Sequence, residues 1–391
     1  MSVQKSIFYK SVGWSVALLL FAAFVVVGGL RIDREWALTH WLFSYESEFL
    51  KRALVGELWR QLDWPAGLSD LQLAAGVVLA ALVTLLLVLF MVPAWVSPSS
   101  GQGLWLFAVL AVCCPATLAN MAYDFGRFDQ LNFLLALAAI GVVAWRNSVF
   151  TGTVLLVLMS ISILIHEAAL FMFAPVVLAF WYWRYPTRTQ LMVVVFVLLL
   201  LLMLTAFVWQ HGHMSDMDMP SYMALLAQRH GTWVMADSVS VLFRDSVEAN
   251  VQFTVQRAFS TRYLRDHVWM FLFVLMPLIF LLRPVFLTAV RHLPRSAIVL
   301  LSAALVGPLM LMPIGHDYFR WWSIGVTNAL LVITLFACRY DQVAQALSTV
   351  MDRRRRWVMG VVLLFLFVGP LGVTKAFERP IYKNGWTQWI A

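Results

Sequence analysis

Charged residues are scarce in this sequence. Asp, Glu, Lys and Arg make up 12% of the 391 residues, roughly half the share in an ordinary soluble domain. Hydrophobic residues make up 62%, more than a soluble core of this size could bury. The bilayer is therefore expected to surround most of the chain. Each remaining charge then needs a partner, water or a function, because a charge in hydrocarbon costs at least ~2.5 kcal/mol.

Motifs typical of soluble catalytic and metal sites are also missing. There are three cysteines, Cys113, Cys114 and Cys338, and all lie in apolar runs without metal-ligand spacing. This disfavours a disulfide framework. Neither a P-loop nor a GxGxxG motif occurs, which disfavours an ATP-driven pump or a dinucleotide-dependent enzyme.

Long apolar runs recur along the whole chain. They predict an all-α, polytopic membrane bundle, one transmembrane domain over residues 1–391 with about eleven spans. The first run follows Lys5 and Lys10 and is long for a signal peptide, so we interpret it as an uncleaved helix with a cytoplasmic N-terminus. Two neighbouring short spans predict a tight hairpin or a re-entrant element. The predicted spans are 12–30, 71–95, 104–122, 131–145, 149–165, 168–183, 190–209, 267–282, 296–314, 322–338 and 357–374.

Basic residues concentrate in the segments predicted to face the cytoplasm. Asp341 and Asp352 are the only acids there, whereas the run Arg353–Arg356 is most simply a topology anchor on anionic lipid. The net charge of +8 thus reflects membrane topology, and no nucleic-acid partner is expected. The acids fall on the outer face, which carries two long loops, residues 31–70 and 210–266.

The first outer loop opens with Arg31-Ile32-Asp33-Arg34-Glu35-Trp36. Asp33 is a candidate general base, with Glu35 as its neighbour or as a metal ligand, because a carboxylate in a partly dry site can have the raised pKa that base catalysis needs. The alternative is a solvated helix end with Asp–Arg pairing. The stretch from Trp36 to Trp59 is amphipathic and predicts a helix lying in the interface. In the second loop, mixed charges predict short helices that could act as a lid.

Two other outer helix ends share the pattern Asp, aromatic, any residue, Arg, aromatic. They contain Asp124 with Arg127, and Asp317 with Arg320, the latter pair preceded by His316. If each segment is helical, the three-residue spacing brings Asp and Arg into contact. Each pair is then either a buried ion pair that closes a helix end or part of a phosphate site, since guanidinium groups suit phosphate oxygens.

Two histidine-containing segments are weaker candidates. His166-Glu167 stands between the two short spans, as a polar plug or as part of an outer site; on a helix the two side chains would point about 100° apart. The Met-rich stretch 211–219 contains metal-binding residue types but lacks anchored spacing, and it predicts a mobile loop. No metal ligand is assigned, although a divalent cation stays open as a cofactor.

This layout resembles the GT-C superfamily of membrane glycosyltransferases. The resemblance consists of a cytoplasmic N-terminus, many helices and the acidic motif Asp33-Arg34-Glu35 directly after the first helix. It implies sugar transfer from a polyprenyl-phosphate carrier to a glycan or lipid acceptor, with Asp33 as the base. Outer arginines would hold the carrier phosphate, and the candidates are Arg320 with Arg127 or Arg52. The first loop is short for this family, and no Trp-Trp-Asp motif occurs.

Three classes of function fit these features. The first is a glycosyltransferase, or a related bacterial surface-polysaccharide polymerase, working at the outer face of a bacterial inner membrane in cell-surface glycan assembly. His316 and Asp317 would then orient the acceptor or serve as an alternative base. The second is a transporter or a flippase for lipid-linked glycans, a class that places charges near the bilayer midplane. An acyl- or phospho-transferase, or a non-catalytic scaffold, makes up the third. An enzyme requires the candidate residues to surround one cavity.

Overall fold

Helices account for 79% of the chain in the computed structural model, and its described residues contain no strand. The structure describes residues 2–97, 102–145, 149–243, 251–252, 254–256 and 260–377. The all-α prediction is confirmed. In chain order the α-helices are α1 (Ser2–Gly29), α2 (Glu35–Thr39), α3 (Leu54–Gln61), α4 (Leu68–Val96), α5 (Gly103–Cys113), α6 (Leu118–Tyr123), α7 (Phe128–Trp145), α8 (Val149–Ile165), α9 (Ala169–Met172), α10 (Ala174–Arg184), α11 (Arg188–His211), α12 (Met219–His230), α13 (Ala236–Val239), α14 (Thr261–Met270), α15 (Met276–His292), α16 (Arg295–Leu309), α17 (Tyr318–Arg339), α18 (Asp341–Arg353) and α19 (Arg355–Val368).

Within the described residues, seven helical segments are long and apolar enough to cross a membrane. Many of their apolar side chains are exposed; on α11, for example, Phe196 is 60% and Met203 is 67% exposed. Such exposure suits lipid rather than water. The seven segments are Val12–Gly29, Leu68–Val96, Gly103–Tyr123, Phe128–Trp145, Arg188–His211, Thr261–His292 and Tyr318–Arg339.

The remaining predicted spans correspond to shorter helices. Three of these apolar helices have 10–17 residues: Phe150–Ile165, Ala169–Arg184 and Arg295–Leu309. The predicted span 357–374 overlaps α19, which has 14 residues. The count of eleven spans and the side on which the N-terminus lies therefore stay predictions.

The chain divides into two structural units. Unit 2 comprises the described residues of 31–82 and 125–251. In it, α7 and α11 each contact both α8 and α10, so these four helices form a bundle. At one end of this bundle, α3 contacts α8, and the Lys51 amide donates to the Gly212 carbonyl just after α11, at 2.9 Å. The first predicted outer loop therefore packs on this end.

Unit 1 comprises the described residues of 1–30, 83–124 and 252–391. Its centre is α5, all of whose residues are buried. A Cβ atom on Gly103 would lie 2.1 Å from the Ser348 carbonyl oxygen, so only glycine permits this approach of α5 to α18. Buried hydroxyl groups on α17 are satisfied, since Ser323 and Thr327 both donate to the Ala116 carbonyl, at 2.6 and 2.8 Å.

The first predicted outer loop differs from the amphipathic prediction. Residues 36–59 do not form one interfacial helix: α2 and a 3₁₀ turn (His40–Leu42) are followed by irregular chain and then by α3. The irregular stretch is held instead by ties to the second loop, Glu46 to Arg229 and Glu48 to the Ser215 amide. Short helices in the second loop are confirmed by α12 and α13. Within 210–266, residues 244–250, 253 and 257–259 lie outside the described residues.

Candidate functional site

A group of buried and half-buried ionisable side chains lies at the loop-covered end of the unit 2 bundle. We call it the polar cluster; it consists of His40, Arg52, Arg127, His166 and Glu167. His40 begins the 3₁₀ turn after α2, and Arg52 lies in the irregular chain before α3. Because helix α8 ends at Ile165, His166 and Glu167 occupy a turn instead of a continuous helix. Their side chains are therefore not held at the 100° separation expected on a helix.

An ion pair between Arg52 and Glu167 forms the centre of the polar cluster. The Arg52 Nε donates to both Glu167 oxygens, at 3.2 and 3.1 Å, and Nη2 donates to Oε1 at 2.5 Å. The two side chains are only 14% and 10% exposed, so water screens the pair weakly. His166 Nδ1 lies 3.3 Å from Glu167 Oε2. Burial alone would raise the pKa of the Glu167 carboxyl, but Arg52 and His166 outweigh it and hold that pKa well below its ordinary value.

His40 occupies an aromatic pocket beside this pair. Its ring lies 4.7 Å from Trp36 and 5.4 Å from Phe43, centroid to centroid, and the residue is 5% exposed. Burial first, and then the neighbouring Arg52, lowers its pKa well below 6.5. His40 is therefore neutral at pH 7, and its Nε2 lies 3.5 Å from Arg52 Nη1.

Arg127 approaches the cluster from the start of α7. Its guanidinium carbon lies 4.7 Å from the centroid of the Trp36 ring, within cation–π distance, and its charge also lowers the pKa of His40. Asp124 and Arg127 do not lie on one continuous helix, because the chain turns at residues 124–126. Gly126 has a φ of +79°, and a Cβ there would lie 2.8 Å from Leu38, so only glycine permits this turn.

The matching pair at the other helix end behaves as predicted. Arg320 Nη1 donates to Asp317 Oδ2 at 2.8 Å across the first turn of α17. The Arg320 side chain is 7% exposed, which fits a buried ion pair closing a helix end. His316 is half-buried just before it.

The acidic motif after the first helix lies at the surface. The Asp33 carboxylate is 67% exposed and lies 3.3 Å from Arg31 Nη2, the local arrangement of a solvated helix end. Glu35 begins α2, where a carboxylate interacts favourably with the helix dipole.

The structure thus brings together four of the predicted binding residues, Arg52, Arg127, His166 and Glu167, around a fifth residue, His40. Sequence reasoning missed His40, because a lone histidine between Thr39 and Trp41 carries no motif. Asp33 and Glu35 also belong to unit 2, whereas unit 1 contains Asp124, His316, Asp317 and Arg320. The prediction that all ten residues surround one cavity stays a prediction.

Unit 2 also contains a cavity of about 420 Å³, which we call the outer cavity. It lies between residues 41–66 of the first predicted outer loop and residues 217–230 of the second. Three tryptophans, Trp41, Trp59 and Trp64, and Tyr222 line it. The volume falls within the range of about 300–1,000 Å³ that is typical of small-molecule sites.

Charged residues share the lining of the outer cavity with these aromatic rings. They are Glu46, Arg60, Asp63 and Arg229, two anions and two cations. Arg229 pairs with Glu46 inside the lining. Arg60 donates to both oxygens of Glu57, at 3.2 and 2.8 Å.

Within the described parts of the chain, no group of three or more His, Cys, Asp or Glu side chains is placed to hold a metal ion. Comparison of the chain with known proteins found no matching family, no matching characterised protein and no matching solved structure. Functional inference therefore rests on the chemistry of the polar cluster and the outer cavity.

Proposed function

We propose that this protein is a membrane glycosyltransferase that uses a polyprenyl-phosphate-linked sugar at its outer face, in cell-surface polysaccharide or glycolipid assembly. One observation carries the proposal: two arginines from separate segments, Arg52 and Arg127, both lie close enough to the buried His40 to lower its pKa. Such a setting strengthens charge-assisted hydrogen bonds to a phosphate, because the local dielectric is low.

In this proposal the polar cluster holds the carrier phosphate. Arg52 is fixed by Glu167 through Nε and Nη2, which leaves the Nη1 edge facing His40 at the long distance of 3.5 Å. A phosphate oxygen that reaches this edge gains a stronger donor interaction than the His40 contact provides. Arg127 adds a second cation, and preorganised cations stabilise the negative charge that develops on a departing phosphate.

The acceptor hydroxyl still needs a base. Asp33, with Glu35 beside it, stays the candidate that the GT-C resemblance implies. Asp33 is exposed, so it is accessible to an acceptor arriving from the outer aqueous side. His316, Asp317 and Arg320 receive no step in this proposal, because they belong to unit 1, whereas the polar cluster belongs to unit 2.

Binding of a polyprenyl phosphate tests the proposal directly. Full-length protein in lipid nanodiscs would be titrated with undecaprenyl phosphate and followed by native mass spectrometry. We expect Arg52→Lys and Arg127→Lys to weaken binding by about tenfold or more, since lysine keeps the charge but loses the bidentate fork. Arg188→Lys is the matched control, since it replaces an exposed arginine at the start of α11.

Two results would count against the enzyme. Equal binding by all four proteins would exclude the polar cluster as the phosphate site. Normal surface glycan in cells whose only copy carries Arg52→Lys together with Asp33→Asn would exclude both residues from sugar transfer.

A transporter or a flippase for lipid-linked glycans is the second candidate. The network of Arg52, His166 and Glu167 at the end of the unit 2 bundle favours it, because buried, paired ionisable residues in membrane proteins often mark substrate and proton pathways. Proteoliposomes distinguish the two functions. Movement of a fluorescent polyprenyl-phosphate sugar across the bilayer without any glycosidic transfer would support transport.

A further inference from the structure

The outer cavity combines features that the polar cluster lacks. Its walls present aromatic rings, and its charges balance: Glu46 and Asp63 against Arg60 and Arg229. Burial lowers the pKa of His230 and raises the pKa of Tyr222, the other titratable lining residues, so neither adds charge at pH 7. A cavity with no net charge gives no general attraction for an anion.

The tryptophan rings are held in fixed orientations. The indole N–H of Trp41 donates to the Gly126 carbonyl at 2.7 Å, and that of Trp59 donates to the Pro65 carbonyl at 2.8 Å. The Trp59 ring lies edge-to-face with Trp41 at 6.2 Å and with Trp64 at 5.0 Å. Trp64 is 52% exposed, so a ligand can reach its ring. Rigid aromatic faces carry partial negative charge and attract weakly positive C–H groups.

Asp63 provides a polar group that the protein leaves available to a ligand. The residue is exposed, and its carboxylate makes no hydrogen bond or ion pair with a described residue. Its backbone has a φ of +50°, a left-handed conformation that Asp and Asn tolerate better than most residues. The carboxylate stands next to Trp64 in the chain and lines the same cavity.

These features together select a class of ligand. An acyl chain would strip water from four charged side chains without replacing it, which is costly. A free phosphate would find both cavity arginines already neutralised by Glu46 and Glu57. An uncharged pyranose suits both the aromatic rings and the carboxylate of the cavity. Its C–H face stacks on an indole while its hydroxyl groups donate to the carboxylate.

We propose that the outer cavity is a binding site for an uncharged saccharide, with Trp64 stacking on the sugar ring and Asp63 accepting a hydroxyl hydrogen bond. Saccharide binding stands on the cavity alone. That this saccharide is the acceptor glycan rests on the proposed function.

Saturation-transfer NMR on the full chain in nanodiscs tests this site. The probes are methyl glucoside, methyl galactoside and methyl N-acetylglucosaminide, with a hexose phosphate as the charged comparison. We expect at least one uncharged probe to bind in preference to the phosphate. Asp63→Asn and Trp64→Ala should each weaken that binding by about tenfold or more, the effect of losing a charged hydrogen bond or a stacking face.

Matched controls keep this test falsifiable. Trp145→Ala removes an equally large exposed ring, 85% exposed at the end of α7, and should bind like the wild type. Asn preserves the shape and the left-handed backbone at position 63, so a lost signal there cannot be ascribed to misfolding. The proposal is overturned if no uncharged probe binds, if the hexose phosphate binds more tightly, or if both variants bind normally.

Failure of this site and failure of the enzyme are separable. Undecaprenyl phosphate binding without saccharide binding would remove the outer cavity assignment and leave the transferase proposal in place. Saccharide binding without undecaprenyl phosphate binding would remove the transferase proposal and leave the outer cavity assignment in place.

Discussion

At the scale of single residues, the most consequential contact is the ion pair of Arg52 with Glu167. Arg52 also has a left-handed backbone, with a φ of +65°, which costs roughly 1–2 kcal/mol for a residue with a Cβ. The pair joins the first outer loop to the turn after α8, two segments separated by 115 positions. A strained conformation persists where surrounding contacts over-determine it, and this ion pair is such a contact.

Removing one partner of this pair should be strongly destabilising. In Glu167→Ala, Arg52 is left as a buried charge without its carboxylate, a loss of about 3–5 kcal/mol for buried pairs. Thermal unfolding in detergent, followed by tryptophan fluorescence, measures it. The double variant Arg52→Met with Glu167→Leu should recover much of the loss, because neither charge remains. Glu46→Ala breaks an exposed pair and should cost about 1 kcal/mol or less. Similar losses of stability in Glu167→Ala and Glu46→Ala would contradict the conclusion that the buried ion pair stabilises the fold more than the exposed one.

At the scale of helices and loops, α3 forms one wall of the outer cavity because of a single glycine. A Cβ on Gly56 would lie 2.1 Å from the Phe43 carbonyl oxygen and 2.6 Å from that of Trp41. Both neighbouring oxygens belong to the backbone, so no side-chain rotation can relieve the clash. Helix α3 therefore rests directly on the chain that carries Trp41.

Gly56→Ala should displace α3 and open the outer cavity. We expect a lower unfolding temperature and faster amide exchange in residues 54–61, measured by hydrogen–deuterium exchange mass spectrometry. Gly141→Ala is the control, since nothing lies within 4 Å of a Cβ built on Gly141. An unchanged exchange pattern for Gly56→Ala would show that α3 is not seated on residues 41–43.

Glu57 ties the same helix to the preceding loop and makes it sensitive to acid. Its carboxylate accepts from the Tyr45 amide at 3.1 Å and from Arg60. Hydrogen bonding by Arg60, the largest cause, lowers the pKa of Glu57 from 4.5 to about 2. A depressed pKa in the folded state adds stability that is fully present above 4.5 and is lost as pH falls toward 2.

Acidification should therefore loosen α3 between about pH 4.5 and 2. A fluorophore on a single cysteine at Leu62, the exposed residue that follows α3, would report it in a protein whose Cys113, Cys114 and Cys338 are replaced by alanine. Glu57→Gln should remove the transition in that window, because the amide does not titrate. A transition of the same size in Glu57→Gln would assign the pH response to another group.

The sequence predicts some of these elements and not others, for physical reasons. Helical spans depend on local hydropathy, so α4 and α11 lie where apolar runs predict them. The contact of Asp317 with Arg320 follows from helical spacing alone. By contrast, the turn at Gly126 and the ion pair of Glu167 involve residues distant in sequence, Leu38 in one case and Arg52 in the other. Pairing across 115 positions carries no local signal.

The outer cavity was not predictable for the same reason. Its lining comes from two loops that are far apart in sequence, and the amphipathic pattern between Trp36 and Trp59 suits an interfacial helix equally well. The pairing of Glu46 with Arg229 and of Glu48 with Ser215 distinguishes an irregular loop from an interfacial helix. Those pairings hold the first loop in irregular form under α12.

At the scale of the whole molecule, the lipid-linked donor and the identity of the saccharide as an acceptor glycan depend on which side of the membrane unit 2 exposes its loops. Basic residues concentrate in the segments predicted to be cytoplasmic, and the positive-inside rule then places residues 31–70 and 210–243 outside. An enzyme that takes its sugar from a lipid carrier at the outer face does not need a cytoplasmic nucleotide sugar as donor. The orientation is therefore the premise on which the choice of donor rests.

Cysteine labelling in intact cells decides the orientation. The starting protein has Cys113, Cys114 and Cys338 replaced by alanine, and single cysteines are placed at Ser47, Asp216 or Gln345, all outside the segments long enough to span a membrane. We expect a membrane-impermeant maleimide to label the first two positions and to reach Gln345, which lies in α18 between predicted spans, only after lysis. Labelling of Gln345 but not of Ser47 in intact cells would invert the topology. The polar cluster and the outer cavity would then face the cytoplasm, where nucleotide sugars are present, and the need for a polyprenyl-phosphate donor would disappear.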